Sequence, residues 1–100
     1  MKLLQISISK VKTYIGFAFK AGKCVMGVDN LEKISKPILI LYADTLSCNS
    51  VKKINDFAKK YGHQVFEIEN FNEISPREGC KALGIKDVNL QSAITKQLNI

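Results

Sequence analysis

The stretch Pro37-Ile-Leu-Ile-Leu-Tyr-Ala43 decides the fold of this chain. Its apolar residues are continuous rather than alternating with polar ones, and this pattern is typical of a strand that is covered on both faces. Amphipathic segments with helical spacing precede and follow it, so both faces have candidate partners. We therefore predict a single domain over residues 1–100 of the α/β class: a three-layer α/β/α sandwich with a four-stranded mixed sheet.

The segments around this strand are predicted to alternate between helices and strands. Apolar residues recur at helical spacing over residues 9–21, which predicts a helix that Ser9 caps and Gly22 ends. The same spacing predicts a helix over residues 51–61, with Gly62 as its C-cap. The other predicted elements of this part are a strand over 23–26, a turn over 27–30, a short helix over 31–34 and a strand over 64–69.

The C-terminal part is predicted to contain one more helix and one more strand. The run Ser75-Pro-Arg-Glu78 combines a serine N-cap, a proline at the first helical position and a glutamate that completes a capping box. The helix is predicted to run to Leu83, with Gly84 as its C-cap. A loop over residues 85–88 and a last strand over residues 89–94 are predicted to follow.

Composition and charge restrict the classes of function. The 100 residues carry 15 Lys and Arg against 9 Asp and Glu, which gives a net charge of +6. A basic chain of this size suits an anionic partner such as a nucleic acid, or gains solubility through repulsion between molecules. No apolar run reaches the roughly 20 residues of a membrane span, and residues 1–8 lack a signal-peptide core. We therefore expect a cytoplasmic protein without a membrane partner.

Residue types that carry catalysis or bind metals are few. The cysteines are odd in number and form no CxxC pair; they are Cys24, Cys48 and Cys80. The one histidine, His63, is interpreted as a surface imidazole after a helix-ending glycine, so no metal site, disulfide or cofactor is expected. Lys20 and Lys23 could lower the pKa of the Cys24 thiol, and a thiol enzyme that uses Cys24 or Cys48 stays an alternative. The main expectation is a protein that is not an enzyme.

A basic surface is predicted around the first strand and the turn that follows it. It consists of Lys20, Lys23, Gly27, Asp29, Asn30 and Lys33. A helix that begins after such a turn offers free backbone N–H groups to a phosphate. Lysines neutralise a nucleic-acid backbone, while amide and carboxylate groups can read base edges. The competing interpretation is that Asp29 or Asn30 only caps the short helix.

The run Tyr14-Ile-Gly-Phe-Ala-Phe-Lys-Ala-Gly-Lys-Cys-Val-Met-Gly27 resembles the opening of the kink-turn-binding ribosomal proteins. This is the superfamily of the archaeal and eukaryotic large-subunit "seven-Ae" and "thirty-e" proteins and their small bacterial relatives. In that family a helix that reads I/L-G-x-A-x-[KR]-A-[GR]-K leads into a strand that ends in Gly. The segment Lys81-Ala-Leu-Gly-Ile-Lys86 resembles the family's K-A-x-G-I-E turn, and the resemblance extends over residues 11–96. The matching positions of the first motif are Ile15, Gly16, Ala18, Lys20, Ala21, Gly22 and Lys23.

The resemblance implies a non-enzymatic RNA-binding protein, ribosomal or ribosome-associated, whose partner is ribosomal RNA or another structured kink-turn RNA. In the family, two loops at one end of the sheet grip the kinked RNA. Polar residues of the first loop meet sheared G·A pairs, and aliphatic residues of the second lie against flipped-out bases. The RNA-binding residues that the resemblance implies are Gly27, Asp29, Asn30 and Lys33 in the first loop, Ile85, Lys86 and Val88 in the second, and Lys20, Lys23 and Lys81 as contacts to backbone phosphates.

Two exchanges in the first loop keep a second hypothesis open. Asp29 stands where the family has Asn, and Asn30 stands where it has Glu. These exchanges favour a protein–protein interaction module on the same sandwich, because a fold does not fix a function. The net charge of +6 favours RNA. The dependence of binding on salt concentration separates the two hypotheses.

Overall fold

The computed structural model of the chain describes residues 5–98. Parts of two sequence predictions, the domain over 1–100 and the absence of a signal-peptide core in 1–8, lie outside the described residues. In chain order the elements are α1 Gln5–Lys20, β1 Cys24–Met26, α2 Val28–Glu32, β2 Leu39–Ala43, α3 Cys48–Tyr61, β3 Gln64–Ile68, a short 3₁₀ helix Phe71–Glu73, β4 Ala82–Ile85 and α4 Val88–Leu98.

The four strands form one mixed sheet in the order β1-β4-β2-β3. β4 runs antiparallel to both of its neighbours, while β2 and β3 are parallel. All five residues of β2 are buried, as the continuous apolar run predicted, because helices cover both faces of the sheet at this strand. The prediction of an α/β sandwich with a four-stranded mixed sheet is confirmed.

Helices cover the sheet on both faces, and each face has its own buried cluster. On one face, Ile15 of α1 and Ile94 of α4 pack against Leu41 and Leu83 of the sheet. On the other face, the cluster joins α2 and α3 to the opposite sides of the same strands: Leu31, Ile38, Ile40, Tyr42, Ile54, Phe57 and Ala82. None of the helices within residues 5–98 is both long and apolar enough to cross a membrane.

The helix ends predicted at Gly22 and Gly62 are confirmed, whereas the N-cap predicted at Ser9 is wrong. Gly22 and Gly62 adopt φ values of 71° and 76°, the left-handed conformation in which glycine ends helices. Ser9 lies inside α1, where its carbonyl oxygen accepts a hydrogen bond from Thr13 Oγ1 at 3.0 Å. The helical spacing of residues 9–21 continues N-terminally without a break, so Ser9 does not mark a boundary.

The helix and the strand that the sequence predicts within residues 75–94 are both wrong. Ser75 does not cap a helix: its Oγ bonds to the backbone of Arg77 on both sides, donating to the carbonyl at 2.7 Å and accepting from the N–H at 3.3 Å. This closed turn competes with helix formation. The residues predicted to end that helix form β4, and the predicted last strand lies within α4, whose apolar residues Leu90 and Ile94 recur at helical spacing.

Gly84 is part of β4 rather than a helix C-cap. A Cβ atom at this position would lie 2.6 Å from Leu31 Cδ2 and 2.7 Å from Ile38 Cδ1. Both side chains are buried, so they have little room to move away. The absence of a side chain at Gly84 therefore lets α2 and the segment before β2 pack directly onto the sheet.

Candidate nucleic-acid interface

The sequence-predicted binding residues lie at two different ends of the sheet. At one end, named the Gly27 end, the N–H of Gly27 donates to the carbonyl oxygen of Ala82 at 3.0 Å. At the other, named the Lys86 end, the N–H of Lys86 donates to the carbonyl oxygen of Lys23 at 2.8 Å. The four residues of β4 separate the two ends, about 13 Å of extended chain. The prediction that the two chosen loops share one end of the sheet is therefore wrong.

The predicted second loop is a strand and the start of a helix. Ile85 belongs to β4, pairs with Cys24 and Leu39, and is 0% exposed. Its side chain is therefore not available to a flipped-out base, and its assignment as a contact residue is wrong. Lys86 is exposed, and Val88 is the first residue of α4 and 74% exposed. Both lie at the Lys86 end, away from Gly27.

A different loop meets the first one at the Gly27 end. Gly79 at φ 82° lets the chain turn sharply, and the N–H of Cys80 donates to the carbonyl oxygen of Arg77 at 3.3 Å. The Gly27–Lys81 depression, as we name it, is a shallow hollow of about 330 Å³ between the two loops. It is lined by Met26, Gly27, Arg77, Glu78, Gly79, Cys80 and Lys81. Of the sequence-predicted residues, Gly27 and Lys81 are thus brought together.

The polar side chains of the first loop bind other parts of the protein. Asn30 does not cap α2, because α2 begins at Val28; its Nδ2 donates to the carbonyl oxygen of Met26 at 2.9 Å. Asp29 does not cap α2 either, and its Oδ1 accepts from Lys53 Nζ of α3 at 3.2 Å. The hydrogen bond to Asp29 is the first cause that raises the pKa of Lys53. Asn30 thus bonds to the backbone just before the loop, while the exposed Asp29–Lys53 ion pair links the loop to α3 at the surface.

The predicted phosphate contacts are exposed but are spread over the surface. Lys33 is the C-cap of α2, about 9 Å along the helix axis from Gly27 at 1.5 Å per residue. Lys20 ends α1 and Lys23 precedes β1, so both lie near the Lys86 end. Lys81 alone of these lysines borders the depression. The predicted set is therefore divided between the two ends of the sheet, and only Gly27 and Lys81 of it border the depression.

The Cys24 thiol is not an activated one. Burial, and then the charge of Cys80, raise the pKa of the Cys24 thiol to about 11. This is the opposite of the lowering expected from Lys20 and Lys23, and it keeps Cys24 protonated at neutral pH. Cys48 is exposed at the start of α3. Within residues 5–98, no three His, Cys, Asp or Glu side chains lie close enough together to hold a metal ion.

His63 is buried, so its interpretation as a surface imidazole is wrong. Its Nδ1 accepts the N–H of Ile38 at 3.0 Å, and its Nε2 lies 3.1 Å from the carbonyl oxygen of Ile34. These partners require a neutral ring that carries its proton on Nε2. Burial lowers the pKa of His63, although the bond to Ile34 opposes the shift. His63 therefore joins the segment before β2 to the start of β3.

Comparisons with known proteins show the fold of the chain. No family model and no curated protein matches it. Among solved structures, the chain is similar to a protein with unknown function from Bacillus halodurans, with a TM-score of 0.82 at 16% sequence identity. The match covers 91% of this chain and 98% of that chain. The two proteins thus share one architecture over almost their whole length.

Sequence analysis missed Arg77 and Gly79 as site residues. The signal was present, because Pro76 and Gly79 bracket a segment too short for a stable helix between them. Because residues 81–86 match a turn of the kink-turn-binding family, the second loop was predicted on the far side of β4 instead. In the structure, the loop that lies next to Gly27 precedes β4 and consists of residues 75–81.

Proposed function

We propose that this chain is a non-enzymatic RNA-binding protein of the kink-turn-binding ribosomal type, ribosomal or ribosome-associated, that recognises structured RNA at the Gly27–Lys81 depression. The observation that carries the proposal is the meeting of two loops at the Gly27 end of the sheet. The resemblance of residues 14–27 to that family implies such a two-loop grip, with residues 75–81 in place of 85–88. A cytoplasmic location, where such RNA is found, is part of the proposal.

The chemistry of the depression supports an RNA ligand. Arg77 and Lys81 border it, and Glu78 is its one acidic lining residue. Guanidinium and ammonium groups bind phosphates, and the guanidinium also stacks on bases. Gly27 and Gly79 have no side chains at the rim, so the RNA backbone can approach the protein backbone closely. The net charge of +6 adds attraction at longer range.

The proposal is tested by titrating the protein into a labelled kink-turn RNA and a duplex of equal length at two salt concentrations. We expect preference for the kinked RNA. Arg77→Ala and Lys81→Ala should each weaken binding and reduce the slope of log K against log salt by about one. The matched control Lys86→Ala, at the other end of β4, should leave both unchanged. Equal binding to both RNAs, or a stronger effect of Lys86→Ala, would contradict this site.

A protein–protein interaction module on the same fold is the second candidate. It is favoured by the engagement of both polar side chains of the first loop within the protein, Asn30 with Met26 and Asp29 with Lys53. A loop whose polar groups are already paired has fewer groups left to read base edges. Absence of binding to either RNA at low salt would favour this candidate over the RNA-binding one.

A further inference from the structure

Arg77 contacts an aromatic ring outside the depression. Its guanidinium carbon lies 5.9 Å from the ring centroid of Phe19 on α1, within the range of a cation–π interaction. Phe19 is 38% exposed, although a phenylalanine of a small domain is ordinarily buried. Arg77 also lines the Gly27–Lys81 depression. The Arg77 side chain therefore connects the depression to the exposed ring on α1.

The Arg77 backbone is held in one place. Its N–H and its carbonyl oxygen both bond to Ser75 Oγ, and the carbonyl oxygen also accepts the N–H of Cys80 at 3.3 Å. The guanidinium thus extends from a fixed point toward Phe19. Because the Arg77 backbone is already ordered, binding a planar ligand here costs less conformational freedom than binding it to an arginine on a mobile loop.

The surroundings of Phe19 are cationic. Lys20 and Lys23 follow it within four residues and both are exposed. The first acidic residue of the chain is Asp29, so α1 itself contributes lysines and no carboxylate. An exposed aromatic ring among lysines suits a ligand that combines planar rings with phosphates, whereas an acidic peptide would leave the ring without a matching partner.

We propose that Phe19 and Arg77 form a stacking site for one unpaired nucleotide of the bound RNA, and that Lys20 and Lys23 neutralise the phosphates that follow it. This inference rests on the proposed function and extends the RNA footprint from the depression onto the C-terminal half of α1. Aromatic rings and guanidinium planes are the surfaces on which splayed RNA bases stack. Lys20 and Lys23 thereby gain a role that the depression alone does not give them.

The experiment compares the kink-turn RNA alone with the same RNA carrying a four-nucleotide single-stranded extension. The chain contains no tryptophan, so Phe19→Trp introduces a unique fluorophore at the site. We expect the extended RNA, and not the plain one, to quench its indole fluorescence by base stacking. Phe17→Trp is the matched control, since Phe17 lies on the same helix, is 55% exposed and has no arginine over its ring among the described residues.

Affinities give the second readout. Phe19→Ala should weaken binding of the extended RNA about 5- to 150-fold, the effect of removing one base–aromatic stack. Binding of the plain kink-turn RNA and the salt slope should not change, because no phosphate contact is lost. Should Phe19→Ala unfold at a lower temperature than the wild type, Phe19→Leu decides, because leucine keeps apolar volume but removes the ring.

Each outcome has one meaning. Loss of the advantage of the extended RNA in Phe19→Ala or Phe19→Leu, with the plain RNA still bound, supports the stacking site. An extension that brings no advantage, or one that survives these substitutions, overturns the stacking site and leaves the proposed function standing. A wild-type protein that binds neither RNA overturns both.

Discussion

Replacing His63 tests how α3 and β3 are joined to the segment before β2. Its imidazole accepts the N–H of Ile38 at 3.0 Å and lies 3.1 Å from the carbonyl oxygen of Ile34. The ring also meets Phe57 edge-on, with the centroids 6.1 Å apart. Two backbone groups and an aromatic contact thus depend on one side chain, so His63→Ala should be costly.

The size of the loss follows from these contacts. His63→Ala leaves the N–H of Ile38, which is 6% exposed, without an acceptor, at about 1–3 kcal/mol. The lost aromatic contact adds about 0.5–1.5 kcal/mol. Ile34 is half-buried, so its carbonyl oxygen can turn toward water at small cost. We therefore expect His63→Ala to lower the free energy of unfolding by about 2–4 kcal/mol and the melting temperature by roughly 10–25 °C.

Urea denaturation of the wild type, His63→Ala and His63→Asn measures this loss. The asparagine side-chain oxygen takes the place of Nδ1 and can accept the N–H of Ile38, so His63→Asn should recover about half of it. The slope m should stay the same in all three, since the native fold is kept. A free energy of unfolding for His63→Ala within about 0.5 kcal/mol of the wild type, the size of an ordinary surface substitution, would refute the reasoning.

The same side chain sets a pH dependence. Burial lowers the pKa of His63 in the folded protein below its ordinary value of 6.5. Between the two pKa values the unfolded state binds more protons, so stability falls as the pH drops below 6.5 and levels off below the folded pKa. Protonation of Nδ1 would also break the bond to Ile38. His63→Asn should lose this part of the pH dependence.

The remaining predictions concern glycines and thiols. Gly84→Ala should lower the free energy of unfolding by about 1–3 kcal/mol in urea denaturation, because the added methyl group overpacks the contact with α2. An unchanged urea midpoint would mean that the neighbouring side chains shift to make room for the methyl group. Gly27→Ala would meet only Asn30 Nδ2, at an ordinary contact distance of 3.8 Å, but its φ of 93° and ψ of 141° should cost about 1–3 kcal/mol of backbone strain, and an unchanged urea midpoint would contradict this strain. In timed alkylation at pH 8, mass spectrometry should find Cys48 modified before Cys24, whose thiol has a pKa of about 11; equal rates would contradict the burial of Cys24.

The central part of the fold could be predicted because its signals are local. The continuous run before Ala43 allows only a strand with both faces covered, and Gly22 and Gly62 end helices that their own spacing defines. Residues 75–94 carried conflicting signals. The capping pattern at Ser75 predicts a helix, yet Ala82, Leu83 and Ile85 are needed to fill the gap between β1 and β2. That requirement comes from packing and overrides the local preference.

The candidate site was predictable only in part for the same reason. Gly27 follows directly from the turn chemistry next to a strand, and Lys81 from a motif match. Which loop faces Gly27 depends on the direction and position of β4. Because the sequence prediction did not recognise β4 as a strand, it assigned the second loop to the wrong end of the sheet. The partners of Asp29, Asn30 and His63 lie on other elements or on earlier backbone, and sequence spacing does not indicate them.

The strand order has a consequence for how the chain folds. β1 and β2 are early in the sequence but do not touch as strands, since β4 lies between them. During synthesis residues 82–85 emerge only after α2, β2, α3 and β3, so β1 has to wait for them to gain its hydrogen-bonded neighbour strand. Pairings this distant along the chain slow folding. The Gly27–Lys81 depression therefore requires β4 to be in place, because the N–H of Gly27 bonds to the carbonyl oxygen of Ala82 and Lys81 directly precedes that strand.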